Sequence, residues 1–183
     1  MRLQEKYKKE IILQLKEELG YQNNLAVPKL QKVTVNVGVG RFAKDKAYID
    51  NVINSLTKIS GQKPVTTKAR KSISSFKIRE GMTIGVAVIL RGNRMYDFIE
   101  KLVHITLPRV RDFRGLSEKI VDKNGNLSIG FKEHIAFPEI SAEDLEKVHG
   151  LEVCITTTAK SKKEGLALFK QLGFPFQHTK KTE

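Results

Sequence analysis

Lys29-Leu-Gln-Lys-Val-Thr-Val-Asn-Val-Gly-Val-Gly40 is the stretch on which the fold turns. Val33, Val35, Val37 and Val39 alternate with Thr34, Asn36 and Gly38, and Lys32 precedes them. Successive side chains of a strand point to opposite faces, so this spacing predicts one apolar face and one polar face carrying Lys32, Thr34 and Asn36. A half-polar strand belongs in an antiparallel sheet covered on one side only. Gly38-Val-Gly40 then ends the strand.

Working outward, Leu3, Tyr7, Ile11, Leu15 and Leu19 recur every four residues among Lys and Glu, which predicts a helix over 2–19 stopped by Gly20. On the other side, Ile49, Val52, Ile53, Leu56 and Ile59 predict a helix from Asp45 to Ser60, closed by Gly61. Val65-Thr-Thr67 reads as a short strand. Ile84, Val86, Val88 and Leu90 alternate again and predict a strand over 83–91. Met95, Phe98, Ile99, Leu102 and Val103 follow as a helix that Pro108 should end. Asp122-Lys-Asn-Gly125 reads as a turn into a strand at Leu127–Phe131. Ser141 with Asp144 suggests a capped helical turn, Leu151–Thr158 a strand, and Ser161 the cap of a last helix through Leu166, Leu168, Phe169 and Leu172. The tail from Phe174 to Lys181 reads as basic and loose. With no repeat and no linker, residues 1–183 read as a single α+β domain, an antiparallel sheet with helices on one face.

Composition narrows the partners. Lys and Arg outnumber Asp and Glu by 33 to 20 in 183 residues, a formal charge of +13. That excess favours a polyanion, nucleic acid first and an anionic membrane surface second. No apolar run reaches the roughly 20 residues that span a bilayer, so no membrane partner is expected. The single cysteine, Cys154, rules out an internal disulfide, reads as an inert core residue, and fits a reducing cytoplasm.

The charge concentrates in Gln62–Arg79, with Lys63, Lys68, Arg70, Lys71, Lys77 and Arg79, and no Asp or Glu lies between Asp50 and Glu80. Ser72, Ser74, Ser75, Thr66 and Thr67 add hydroxyls. Small polar residues among cations let a phosphate backbone approach closely, whereas the bland alternative is a solvated loop. A second cluster, Arg109-Val-Arg-Asp-Phe-Arg114, follows the third helix; Asp112 there suits an ion pair that orients the arginines.

Catalytic and metal patterns fail on inspection. Gly38-Val-Gly40-Arg-Phe-Ala43 matches a G-x-G-x-x-A dinucleotide fingerprint, but its strand is half-polar and lysines stand where a ribose-binding acid belongs. His104, His134, His149 and His178 have no ligand spacing, so no metal is expected. Nothing assembles an enzyme site, and no cofactor is expected. A DNA reader would carry a basic recognition helix, whereas these cations fall in loops. Sparse aromatics and no Trp disfavour a single-strand reader that works by stacking. A folded RNA read by its backbone fits best.

The ordered motifs Val33–Gly40, Ser60-Gly-Gln-Lys-Pro64, Thr67-Lys-Ala-Arg-Lys-Ser72, Phe76-Lys-Ile-Arg79, Leu90-Arg-Gly92, Pro108–Gly115, Phe137-Pro-Glu-Ile140 and Ile155-Thr-Thr-Thr-Ala159 resemble the family of bacterial large-subunit ribosomal protein five, over nearly the whole chain. The resemblance implies a non-enzymatic protein of the cytoplasmic ribosome with a curved sheet, holding 5S ribosomal RNA in the central protuberance. It implies 5S RNA contacts at Asn36, Gln62, Lys63, Thr66 and Arg91. It implies a loop toward the peptidyl-site tRNA through Lys68, Arg70, Lys71, Ser72, Lys77 and Arg79. It further implies a bridge to a small-subunit head protein through Arg109, Arg111, Asp112, Arg114 and His134. The other implied partners are large-subunit ribosomal RNA and neighbouring 5S-binding proteins, the chain acting as a monomer within the ribosome. Relatives often carry Thr before Leu-Arg-Gly where this chain has Ile89, which removes a hydroxyl from the RNA face.

Overall fold

The structure, a computed structural model, describes residues 2–140 and 148–177. Five strands form an antiparallel sheet: β1 Leu30–Gly38, β2 Val65–Lys68, β3 Thr83–Leu90, β4 Leu127–Phe131 and β5 Leu151–Thr157. Their order is β2-β3-β1-β5-β4. The helical runs are α1 (Leu3–Lys6, Tyr7–Ile11, Ile12–Leu19), α2 (Lys46–Ser60), α3 (Gly92–Lys101, Leu102–Thr106, Leu107–Arg109) and α4 (Lys162–Gln171). The fold is α+β, as the alternating strands predict. The chain groups into two compact units, one of Met1–Val33, Arg91–Ile129 and Cys154–Glu183, the other of Thr34–Leu90 and Gly130–Val153.

In the first unit α1 packs on α3 and α4. Leu3, Tyr7, Ile11 and Leu15 are all buried, although a four-residue spacing drifts about 40° per step around a regular α-helix. The helix corrects the drift with a π turn over Tyr7–Ile11, where the Ile12 N–H donates to Tyr7 O. The wider turn holds the apolar stripe on one side. A second π turn over Leu102–Thr106 does the same in α3, and carries that helix past its expected end at Pro108 to Arg109. The proline fits because the Leu107 N–H already bonds five residues back to Leu102 O. Pro108 then sits in the first turn of the short closing segment, where a missing N–H costs little.

α4 begins as its sequence predicts, with Ser161 Oγ accepting from the Glu164 N–H at 3.3 Å and Glu164 Oε2 accepting from the Lys160 N–H at 2.8 Å. The helix lies against the 122–126 turn so closely that Gly165 meets the backbone of Gly125. The tail differs from expectation as far as Gln177. Phe174 is buried edge-on to Phe169, with ring centroids 5.3 Å apart. Leu116 donates its N–H to Pro175 O at 2.7 Å and accepts from the Gln177 N–H at 2.9 Å. An apolar anchor and two backbone bonds fix what composition alone reads as loose. Cys154 is also corrected: it is half-buried and accepts from Ser128 Oγ at 3.5 Å. Its neighbours Val153 and Ile155 take the core side, so the period of two turns Cys154 away from it.

In the second unit α2 packs on β3. Asp45 Oδ1 caps α2 by accepting the Tyr48 N–H at 3.0 Å, and Gly61 closes it with φ 64°. Val35, Val37, Val86, Val88 and Leu90 form the apolar side of the strands. The expected cap at Ser141 and Asp144 lies outside the described residues, as does His178.

Candidate nucleic-acid interface

The polar side of the β1–β3–β2 strands is built by register. Thr67 pairs with Gly85 and Val65 with Ala87, while Thr66 pairs with Val86. Residues directly opposite in an antiparallel pair share a face, so Thr67 and Val65 stand on the polar side and Thr66 on the side of buried Val86. Asn36 joins Thr67 there: a Cβ built on Gly85 would lie 2.5 Å from Thr67 Oγ1 and 3.7 Å from Asn36 Oδ1. Gly85 and Ala87 give this face a floor without bulk, rimmed by exposed Val65 and Ile89. A backbone can approach such a floor closely, with an amide and a hydroxyl in reach.

Gln62 follows α2 and donates from Nε2 to Ile89 O at 3.2 Å, which leaves its Oε1 as the acceptor. Lys63 and Thr66 are exposed, and Arg91 is exposed directly before α3. Thr67, which the sequence offers only as one hydroxyl of the basic stretch, is the residue left out of the expected RNA contact. Its signal was available only as a parity, and the one apolar residue of this four-residue strand, Val65, is exposed on the same side as Thr67, so it points to the wrong face.

Beyond β2 the basic segment is no open loop but an ordered hairpin. The Ala69 N–H donates to Met82 O at 2.8 Å and the Gly81 N–H to Ala69 O at 3.0 Å. Further out Ile73 and Ile78 exchange both backbone bonds, at 2.9 and 3.1 Å. A 3-10 turn at Ser74–Phe76 closes the tip, with Lys77 in the left-handed region at φ 54°. The Glu80 N–H donates to Ser72 Oγ at 2.9 Å. Lys68, Arg70, Lys71, Ser72, Lys77 and Arg79 are all exposed along this hairpin, and Phe76 at the tip is 72% exposed. A ladder that closes on itself presents these cations on a preorganised support, which lowers the ordering cost of binding.

The second cluster belongs to the first unit. Arg109, Arg111 and Arg114 are exposed. Asp112 is exposed too and turns the chain at φ 55°, a conformation that Asp tolerates better than most residues. Among the described residues it makes no ion pair with the arginines; its part is the direction of the chain. His134, in the other unit, is fully buried. Its ring stacks on His149 with centroids 4.0 Å apart and 16° between planes, and its Nδ1 accepts the His149 N–H at 3.3 Å. Glu133 and Ile135 flank it on the surface.

The dinucleotide alternative loses its footing in this geometry. The Val39 N–H donates to Ile84 O at 2.9 Å, so the glycine pair remains tied to an antiparallel neighbour before a 3-10 turn at Gly40–Phe42. Among the described residues no three His, Cys, Asp or Glu side chains group around a metal position, and no helix is long and apolar enough to cross a membrane.

Comparison with known proteins agrees with the motifs. The family described as ribosomal protein L5 matches residues 23–79, and the model of the same family's C-terminus matches residues 83–176. The large ribosomal subunit protein uL5 of Francisella tularensis subsp. novicida is 52% identical over 176 residues, covering 96% of this chain and 98% of its own length. The uL5 protein of Halothermothrix orenii is 52% identical over 174 residues, covering 95% and 97%. That of Desulforapulum autotrophicum is 53% identical over 176 residues, covering 96% and 98%. Identity of this extent over both chains, on an antiparallel α+β fold with a polar sheet face and a basic hairpin, makes the chain a member of the ribosomal protein L5 family, a family of large-subunit ribosomal proteins and not a family of enzymes.

Proposed function

We propose that the chain binds 5S ribosomal RNA through the polar face at Asn36 and Gly85 and helps attach that RNA in the central protuberance. Gln62, Lys63 and Arg91 belong to the same contact, Thr67 is added to it, and Thr66, exposed on the other side of the edge strand β2, reaches the RNA only around that edge. The supporting observation is the floor of Gly85 and Ala87 flanked by Asn36 and Thr67, a surface that is polar and flat at once. The basic hairpin, with Lys68, Arg70, Lys71, Ser72, Lys77 and Arg79, extends to the peptidyl-site tRNA. Arg109, Arg111, Asp112 and Arg114 face a small-subunit head protein. His134 supports the other part of that bridge from inside, behind Glu133 and Ile135. Large-subunit ribosomal RNA and neighbouring 5S-binding proteins complete the surroundings of a single copy in the cytoplasmic ribosome.

The test is a titration of the purified protein into 5S RNA and into a scrambled RNA of equal length, at several salt concentrations. Tighter binding of 5S RNA is expected at every salt. The logarithm of affinity should fall with the logarithm of salt by about 0.7–0.9 per phosphate contacted. Equal affinities throughout would remove the specific claim. A second expectation separates the two RNA contacts: changing Arg70 and Lys71 together to Ala should leave 5S affinity within about twofold, because neither residue stands on the sheet face. The same variant should weaken tRNA binding in filter assays. A large loss of 5S affinity would move the hairpin into the primary contact.

A further inference from the structure

The second unit also joins the hairpin to a part of the chain that none of these contacts includes. An open cleft of about 1100 Å³ runs between the hairpin and the segment that follows β1, lined by Lys44, Ser72, Ser74, Lys77, Arg79 and Glu80. Ile78 and Met82 supply its apolar lining. Lys44 comes from the connection into α2, remote in sequence from the hairpin, so the cleft is two-sided. Three cations against one carboxylate leave it electropositive. Ser72 Oγ uses a lone pair to accept the Glu80 N–H, so its proton remains to be donated. The volume is at or above the upper end for a drug-sized ligand, far more than an inorganic anion fills. Charge continues outside the cleft at Lys68, Arg70 and Lys71, which suits a ligand with regularly repeated negative charge.

We infer that this cleft holds a phosphodiester segment of an RNA strand, clamped between Lys44 on one wall and Lys77 and Arg79 on the other, with Ser72 and Ser74 donating to phosphate oxygens. The inference rests on the reading of the hairpin as an RNA-contacting arm. It adds a binding residue, Lys44, that the hairpin alone does not contain.

Lysine acetylation footprinting with mass spectrometry tests it on the intact protein, alone, with deacylated tRNA, and with millimolar inorganic pyrophosphate. The expected result is severalfold protection of both Lys44 and Lys77 by tRNA and little by pyrophosphate. In parallel, Lys44→Ala should raise the Kd for tRNA on the order of fivefold and lower the salt slope by about one. Ser72→Ala with Ser74→Ala should raise the Kd with the slope unchanged. Equal protection by pyrophosphate would mean a general anion site and overturn the RNA-strand assignment. If Lys68 and Lys71 are protected while Lys44 stays reactive and Lys44→Ala binds as wild type, the cleft is wrong and the hairpin reading survives. If tRNA protects no lysine of the hairpin, both fall together.

Discussion

Asn36→Ala combined with Gln62→Ala is expected to weaken 5S RNA binding by about 2–4 kcal/mol, roughly a 30- to 1000-fold rise in Kd. Each side chain offers hydrogen bonds that become desolvated once RNA covers the face, and losing one such bond costs about 1–3 kcal/mol. The two need not contribute equally. Asn36 projects beside Gly85 on the sheet face, whereas Gln62 already spends one of its two amide N–H groups on Ile89 O and is held by that bond. Asn36→Ala should therefore be the larger single loss. Cutting the Gln62 tie also releases the segment between α2 and β2, so that variant should show faster amide exchange at Lys63 and Val65. Wild-type affinity in the double variant would place the RNA elsewhere.

Gly165→Ala is expected to destabilise the fold by about 2–3 kcal/mol, which for a chain of this size lowers Tm by roughly 5–10 °C. Helix propensity argues the other way, since alanine gains about 1 kcal/mol over glycine in a helix interior. Sterics decide the sign. A Cβ on Gly165 would lie 2.6 Å from Gly125 O and 2.8 Å from Gly125 C. Those are backbone atoms, which cannot rotate aside as a side chain can. Moving the turn would pull on Thr157, whose Oγ1 donates to Gly125 O at 2.8 Å and whose N–H donates to Asn126 Oδ1 at 3.0 Å. It would also disturb Asp122. Burial alone would raise its carboxyl, but bonds from Asn126, Asn124 and Gly125 outweigh that and hold it below the usual carboxylate range. Urea unfolding of the variant at neutral pH measures the loss; a midpoint equal to or above wild type would show that the turn yields freely.

The strands and helices were legible because their signals are periodic and local. Val33 to Val39 fixes a face parity over several residues, and Asp45, Gly61 and Ser161 mark helix ends by chemistry that acts within one turn. What escaped was relational. Thr66 and Thr67 look equivalent until β3 supplies a register. Cys154 sits in an apolar run, yet its own strand turns it off the core. The His134–His149 stack joins residues fifteen positions apart, and Lys44 meets the hairpin only in three dimensions. The hairpin itself left a faint trace: Ile73 and Ile78 are its two aliphatic β-branched residues between Val65 and Ile84, and they form its outer rung. The charges around them suggested a solvated loop.

The pairing of β2 with β3 shifts register between Thr67 and Lys68. That irregularity separates two reading frames on one ribbon. Inside it, the parity of Val65 and Thr67 against Ala87 and Gly85 must stay intact, because a slip by one residue would exchange Thr67 for Thr66 on the sheet face. Outside it, residues can be inserted or removed around the Ile73–Ile78 rung without passing a phase error inward. The register of the sheet thus sets no limit on the length of the tip, which can be redesigned for another RNA while the sheet face keeps its own partner.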